Sequence, residues 1–66
     1  MFLCFSDIHG HYAYKMTEIS LVRYFRDEDK ITLFVDKDKI MRFYYETPEQ
    51  AAIEYENMLR QLKGMI

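Results

Sequence analysis

Apolar and polar positions alternate with two different periods along this chain, and the change of period separates a strand-forming part from a helical part. From Ile31 to Val35 the period is two, with Ile31, Leu33 and Val35 on one side and Thr32 and Phe34 on the other. Ile40 to Tyr45 repeats it, with Met41, Phe43 and Tyr45 on one side and Ile40, Arg42 and Tyr44 on the other. The polar break Asp36-Lys37-Asp38-Lys39 is short enough to make these two strands a hairpin. A further strand is expected from Thr17 to Phe25, because Thr17, Ile19, Val22, Tyr24 and Phe25 are β-branched or aromatic. Strict alternation there places Ile19, Leu21 and Phe25 on one side and Val22 and Tyr24 on the other. Arg26 to Lys30 reads as the loop that follows. Near the start, Phe2–Asp7 and His11–Met16 are expected to pair as a hairpin turning at His9-Gly10, where glycine tolerates a positive φ.

The period then lengthens. Thr47-Pro48-Glu49-Gln50 combines a capping threonine, a proline suited to the first helical position and the glutamine of a capping box. Beyond it Ala52, Tyr55, Leu59, Leu62 and Ile66 recur at helical spacing, widened by Ala51 and Met58. Glu54, Asn57 and Gln61 fall on the opposite, polar side together with Ile53, which reads as a tolerated exposed residue or a partner contact. The helix is expected from Pro48 to about Leu62, stopping at Gly64. The fold class that follows is α+β: one domain over 1–66, a small antiparallel sheet of three to five strands, and one C-terminal amphipathic helix packed on one face.

Composition adds a constraint. A chain of 66 residues has a marginal core by itself. A single cysteine, Cys4, and two histidines exclude an internal disulfide and leave little capacity for metal. Six Tyr and five Phe are distributed over both faces of the strands, and one helix covers only one face. Association with a second copy is therefore the expected stabiliser. Net charge is −2, so generic nucleic-acid binding is not expected. No apolar run reaches the roughly 18–20 residues of a membrane span, and Met1–Phe5 lacks the basic start and apolar length of a signal peptide. A cytoplasmic location, with no membrane association, is the expectation.

One string has the form of a known motif. Ser6-Asp7-Ile8-His9-Gly10-His11 resembles the first metal-binding block of calcineurin-like metallophosphoesterases, in which an apolar strand leads into Asp-x-His-Gly; Phe2-Leu3-Cys4-Phe5 resembles that strand. The resemblance implies Asp7 and His9 as ligands of one metal of a two-metal site. It covers only Phe2 to His11. The family's Gly-Asp-x-x-Asp block, Gly-Asn-His block and later histidines have no counterpart here. Two-metal phosphoryl chemistry needs ligands converging on ions about 3.5–4 Å apart, which this chain does not supply alone. Asp7, His9 and His11 remain candidates for adventitious Zn²⁺ or Ni²⁺ if they share a strand face, an alignment that a turn at Gly10 removes. Cys4, between Leu3 and Phe5, reads as a small buried hydrophobe rather than a nucleophile.

These readings converge on a non-enzymatic binding or regulatory module that needs no cofactor and forms a homodimer through an aromatic sheet face. Val22, Tyr24, Phe34, Ile40, Arg42, Tyr44 and Ile53 are the contact candidates, toward a second copy or another protein partner. The alternative is an inhibitor or sequestering protein of mobile-element (phage) type. It would use either an acidic surface or an inter-subunit pocket in which aromatics and arginines hold a small nucleotide. A remnant of a metal-dependent phosphoesterase is the third reading.

Overall fold

Two hairpins and a helix divide the chain. The computed structural model describes residues 1–36 and 39–64. Strands β1 (Phe2–Asp7) and β2 (Gly10–Lys15) form a two-stranded antiparallel sheet. A 3₁₀ turn (Met16–Glu18) leads into β3 (Ile19–Arg23), β4 (Lys30–Val35) and β5 (Lys39–Tyr44), an antiparallel sheet with β4 in the centre. Helix α1 spans Pro48–Lys63. The α+β class and the helix packed against strands are as the periodicity implies, whereas the strands form two small sheets instead of one.

The first turn lies at Ile8-His9, one residue before the expected His9-Gly10. The Asp7 carboxylate sets it there: Oδ1 accepts from the backbone N–H of His9 at 2.8 Å and of Gly10 at 3.2 Å, the local bond by which Asp makes tight turns. Gly10 follows at φ 157°, with no atom within 4 Å of where a Cβ would sit. The same carboxylate reaches the second sheet, where Oδ2 accepts from Tyr44 N–H at 3.3 Å. Ile8 N–H donates to the Tyr44 carbonyl at 3.0 Å. The hairpin is thus fastened to the end of β5.

In β3 the pairing steps from Ile19↔Val35 to Leu21↔Phe34, a β-bulge at Ser20 whose hydroxyl donates to the Phe34 carbonyl at 3.0 Å. The extra residue reverses the side-chain alternation after it. Ile19, Val22 and Tyr24 face the core, and Leu21, Arg23 and Phe25 face outward. Strict alternation gave the opposite sides for Leu21, Val22, Tyr24 and Phe25, because a bulge has no signature in apolar spacing. The loops without glycine use aspartate instead: Asp27 at φ 68° and Asp36 at φ 49°, a residue type that tolerates the left-handed region.

Leu3 and Phe5 of the hairpin meet Ile31, Leu33, Val35 and Phe43 of the second sheet in the core. Phe43 is its aromatic hub, 4.7 Å from Phe5 and 4.8 Å from Tyr12, ring centre to ring centre and edge to face. The helix starts as expected, with Thr47 Oγ1 accepting from Gln50 N–H at 3.2 Å and Pro48 in first position. It ends on Gly64, which is right-handed at φ −66° and so does not use glycine's special freedom.

The buried face of α1 is rotated from the expected stripe. Ala51 and Met58 are fully buried, while Ala52, Tyr55, Leu59 and Leu62 are half-buried; Ile66 lies outside the described residues. The rotation has a cause in β1. That strand pairs with β2 along one edge, and its other edge presents the backbone groups of Cys4 and Ser6. Gln61 acts as a surrogate strand residue there: its Oε1 accepts from Cys4 N–H at 2.8 Å and its Nε2 donates to the Cys4 carbonyl at 2.7 Å. Two turns earlier, Glu54 Oε2 accepts from Ser6 N–H at 3.0 Å and from Ser6 Oγ at 3.1 Å, with Asn57 donating to its other oxygen at 2.7 Å. Glu54, Asn57 and Gln61, expected on the solvent side, are the side chains that close a sheet edge.

Candidate functional site

The outward face of the β3–β4–β5 sheet is built in cross-strand rows. Register places Leu21, Phe34 and Ile40 in one row and Arg23, Thr32 and Arg42 in the next, with Lys30 opposite Tyr44 beyond them. No element covers this face among the described residues. Leu21, Phe25, Ile40 and Tyr44 are each between 41% and 54% exposed. Arg23 lies across two rings, its guanidinium carbon 5.4 Å from the centre of Phe25 and 5.2 Å from that of Phe34. This is cation–π distance, and it holds the guanidinium against the aromatic surface. The face is therefore polarised along its strands, apolar at the Leu21–Phe34–Ile40 row and cationic-aromatic at the other end. Glu28 offsets part of that charge through Lys30, at 3.8 Å.

Of the residues singled out from sequence, Phe34, Ile40, Arg42 and Tyr44 share this surface. Val22 and Tyr24 do not, because the bulge turns them inward. Tyr24 stacks against Tyr55 of α1 at 5.1 Å, and its hydroxyl lies 3.5 Å from the Pro48 carbonyl. Ile53 is well exposed but stands on the helix, on another side of the molecule. Sequence reasoning missed Leu21 and Phe25 for the same reason that it included Val22 and Tyr24, whereas Arg23 and Arg42 were expected among the arginines of a nucleotide-stacking platform.

The motif-like string does structural work. Asp7 receives three backbone N–H groups, from His9, Gly10 and Tyr44, and His9 and His11 are exposed in the turn and on β2. Among the described residues no three His, Cys, Asp or Glu side chains stand close enough to share a metal ion. Cys4 is exposed rather than buried, since its side chain points away from the core that Leu3 and Phe5 enter.

Two tyrosines near Asp7 titrate abnormally. Burial first, and then the charges of Glu54 and Asp7, hold the Tyr45 hydroxyl well above the ordinary 10.0. Tyr12 is raised in the same direction by desolvation and by Asp7. The Tyr45 hydroxyl is buried and has no hydrogen-bond partner among the described residues.

No helix among the described residues is long and apolar enough to cross a membrane. Compared with known proteins, the chain matches no protein-family model, no curated protein and no solved structure.

Proposed function

We propose that this chain is a non-enzymatic, cytoplasmic binding module with a regulatory role that works as a homodimer through the outer face of its three-stranded sheet. The observation that carries the reading is the row Leu21–Phe34–Ile40, which places large apolar side chains side by side on a face that no other element covers among the described residues. Contiguous exposed apolar surface of this kind marks an interaction site. A second copy suits it better than an unrelated protein because of the polarity along the strands. A two-fold axis at the Leu21–Phe34–Ile40 row stacks that row on its own counterpart and leaves Arg42, one row further along, toward the rim, while Arg23 stays against the Phe34 ring that it covers. A chain this small also gains stability it otherwise lacks.

Light scattering across a range of concentrations tests the proposal. The native protein should have a mass of two chains, each 8.1 kDa. Phe34→Glu should be monomeric, because it places a charge at the centre of the contact. A native mass of one chain at every concentration, with Phe34→Glu equally stable, would rule the dimer out.

Arg23 favours a second reading. Its guanidinium, within cation–π distance of Phe25 and Phe34 and lining one groove with Arg42 and Lys30, offers a stacking and phosphate-pairing surface for a small nucleotide. Such a sequestering protein would retain ultraviolet-absorbing material through purification, and Arg23→Ala would lose it.

A further inference from the structure

Backbone groups along one strand are left without partners in this fold. In β1 the N–H and C=O of Cys4 and the N–H of Ser6 point toward α1, where Gln61 and Glu54 hold them. Cys4 and Ser6 lie opposite Ala13 and His11 of β2, so these are cross-strand pairs that exchange no backbone bonds with each other. Met16 N–H donates to the Met1 carbonyl at 3.0 Å, which makes the adjacent Phe2–Lys15 pair another of the same kind. The N–H and C=O groups of His11, Ala13 and Lys15 therefore point out of the two-stranded sheet, on the side away from β1. There β2 is the edge, His11, Ala13 and Lys15 are exposed, and among the described residues no backbone group of another element bonds them.

The other edges each carry an obstacle to pairing. Helix side chains close β1, the bulge at Ser20 interrupts β3, and the first turn bonds the end of β5 at Tyr44. Strand β2 keeps continuous register over its whole length and contains neither proline nor bulge. Alternating donors and acceptors at strand spacing are matched by another extended strand. We propose that this occupant is β2 of a second copy, paired antiparallel about a two-fold axis at Ala13. The sequence is self-complementary in that register. Ala13 exchanges both backbone bonds with its own counterpart, and its small side chain fits on the axis. His11 meets Lys15 of the second copy, so the two lysines are not set against each other. Tyr12 meets Tyr14 of the second copy at the closer kind of cross-strand pair, on the core side. Both rings are half-buried beside Phe5 and Phe43, and the pairing extends that aromatic cluster across the axis. A six-residue strand buries too little for a permanent interface, so this contact forms at raised concentration. It uses none of the side chains on the outer sheet face and does not rest on the dimer proposed there.

Hydrogen exchange, read amide by amide on the isotope-labelled chain in dilute and in concentrated solution, tests it. The amides of His11, Ala13 and Lys15 should slow about 10-fold or more on concentration, while those of Tyr12 and Tyr14, bonded to β1, stay protected throughout. Ala13→Pro removes one outward N–H and none of the bonds to β1, at an edge position where a strand accepts proline. It should abolish the concentration dependence at His11 and Lys15 with Tyr12 and Tyr14 still protected, the sign that the hairpin is intact. If that variant loses its hairpin, the pattern in the native chain decides by itself. Phe34→Glu should keep the alternating pattern, so that loss of the edge contact and loss of the sheet-face contact are read separately. Equally fast exchange at His11, Ala13 and Lys15 at every concentration would overturn the proposal and leave the edge to a strand of another protein. Concentration-dependent protection confined to Ile40 and Arg42 would overturn it by moving the contact to β5, and so would a concentration dependence that Ala13→Pro leaves unchanged in a folded chain.

Discussion

Met58 and Leu59 are neighbours on one helix with different consequences. Met58 is fully buried against the sheet and Leu59 is half-buried. Met58→Ala should cost about 2–5 kcal/mol in a denaturant melt, and Leu59→Ala clearly less. The reverse order would mean that α1 packs on the stripe expected from spacing alone. Tyr45 makes the second prediction at this scale. Its hydroxyl is held above the ordinary 10.0 by burial and by the nearby carboxylates. The unfolded chain therefore gives up this proton first as pH rises. The stability involved is fully present below pH 10 and falls as pH climbs toward the higher folded value. Tyr45→Phe should remove that alkaline loss, and at neutral pH should leave the free protein as stable or more stable, since it deletes a buried hydroxyl without a partner. Thermal melts of the two proteins between neutral and alkaline pH would show both effects.

At the scale of elements, the notable junction is between α1 and β1. A strand edge with unpaired N–H and C=O groups is a template for unwanted pairing. Here side chains from a helix occupy it, with Gln61 imitating both bonds of a strand residue at Cys4. Gln61→Leu preserves bulk and helix propensity but leaves those backbone groups to water. It should cost about 1 kcal/mol and accelerate hydrogen exchange at the Cys4 amide, leaving Phe5, bonded to β2, protected. Equal protection at Cys4 in both proteins would show that the edge is closed by something other than Gln61. At the helix start, Thr47→Ala should cost about 1 kcal/mol through the lost bond to Gln50 N–H.

The whole molecule has two distinct sides. The outer sheet face is apolar at one end and cationic at the other, on a chain whose net charge is −2. A cleft between the first turn and α1 is lined by the carboxylates of Asp7, Glu46 and Glu54. Light scattering on Phe34→Glu addresses the first side.

Helix α1 could be placed from sequence to within a residue, because Thr47, Pro48 and the helical spacing act locally on the backbone they belong to. The hairpin of β4 and β5 was legible for the same reason: alternation of Ile31, Leu33 and Val35 against Met41 and Phe43 is a property of each strand alone. Four of the proposed contact residues, Phe34, Ile40, Arg42 and Tyr44, fell on one face as a consequence. What tertiary structure decided was everything that depends on a partner distant in sequence. The bulge at Ser20 answers the register of β4 and turns Val22 and Tyr24 inward. The rotation of α1 answers the open edge of β1, which recruits Glu54 and Gln61 from residues that spacing alone assigns to solvent. Asp7 reads as a ligand in isolation, but the amides of Tyr44, His9 and Gly10 make it a fastening between two sheets. Periodicity reports which side of an element is apolar, whereas a backbone group seeking a hydrogen bond can draw a polar side chain to either side.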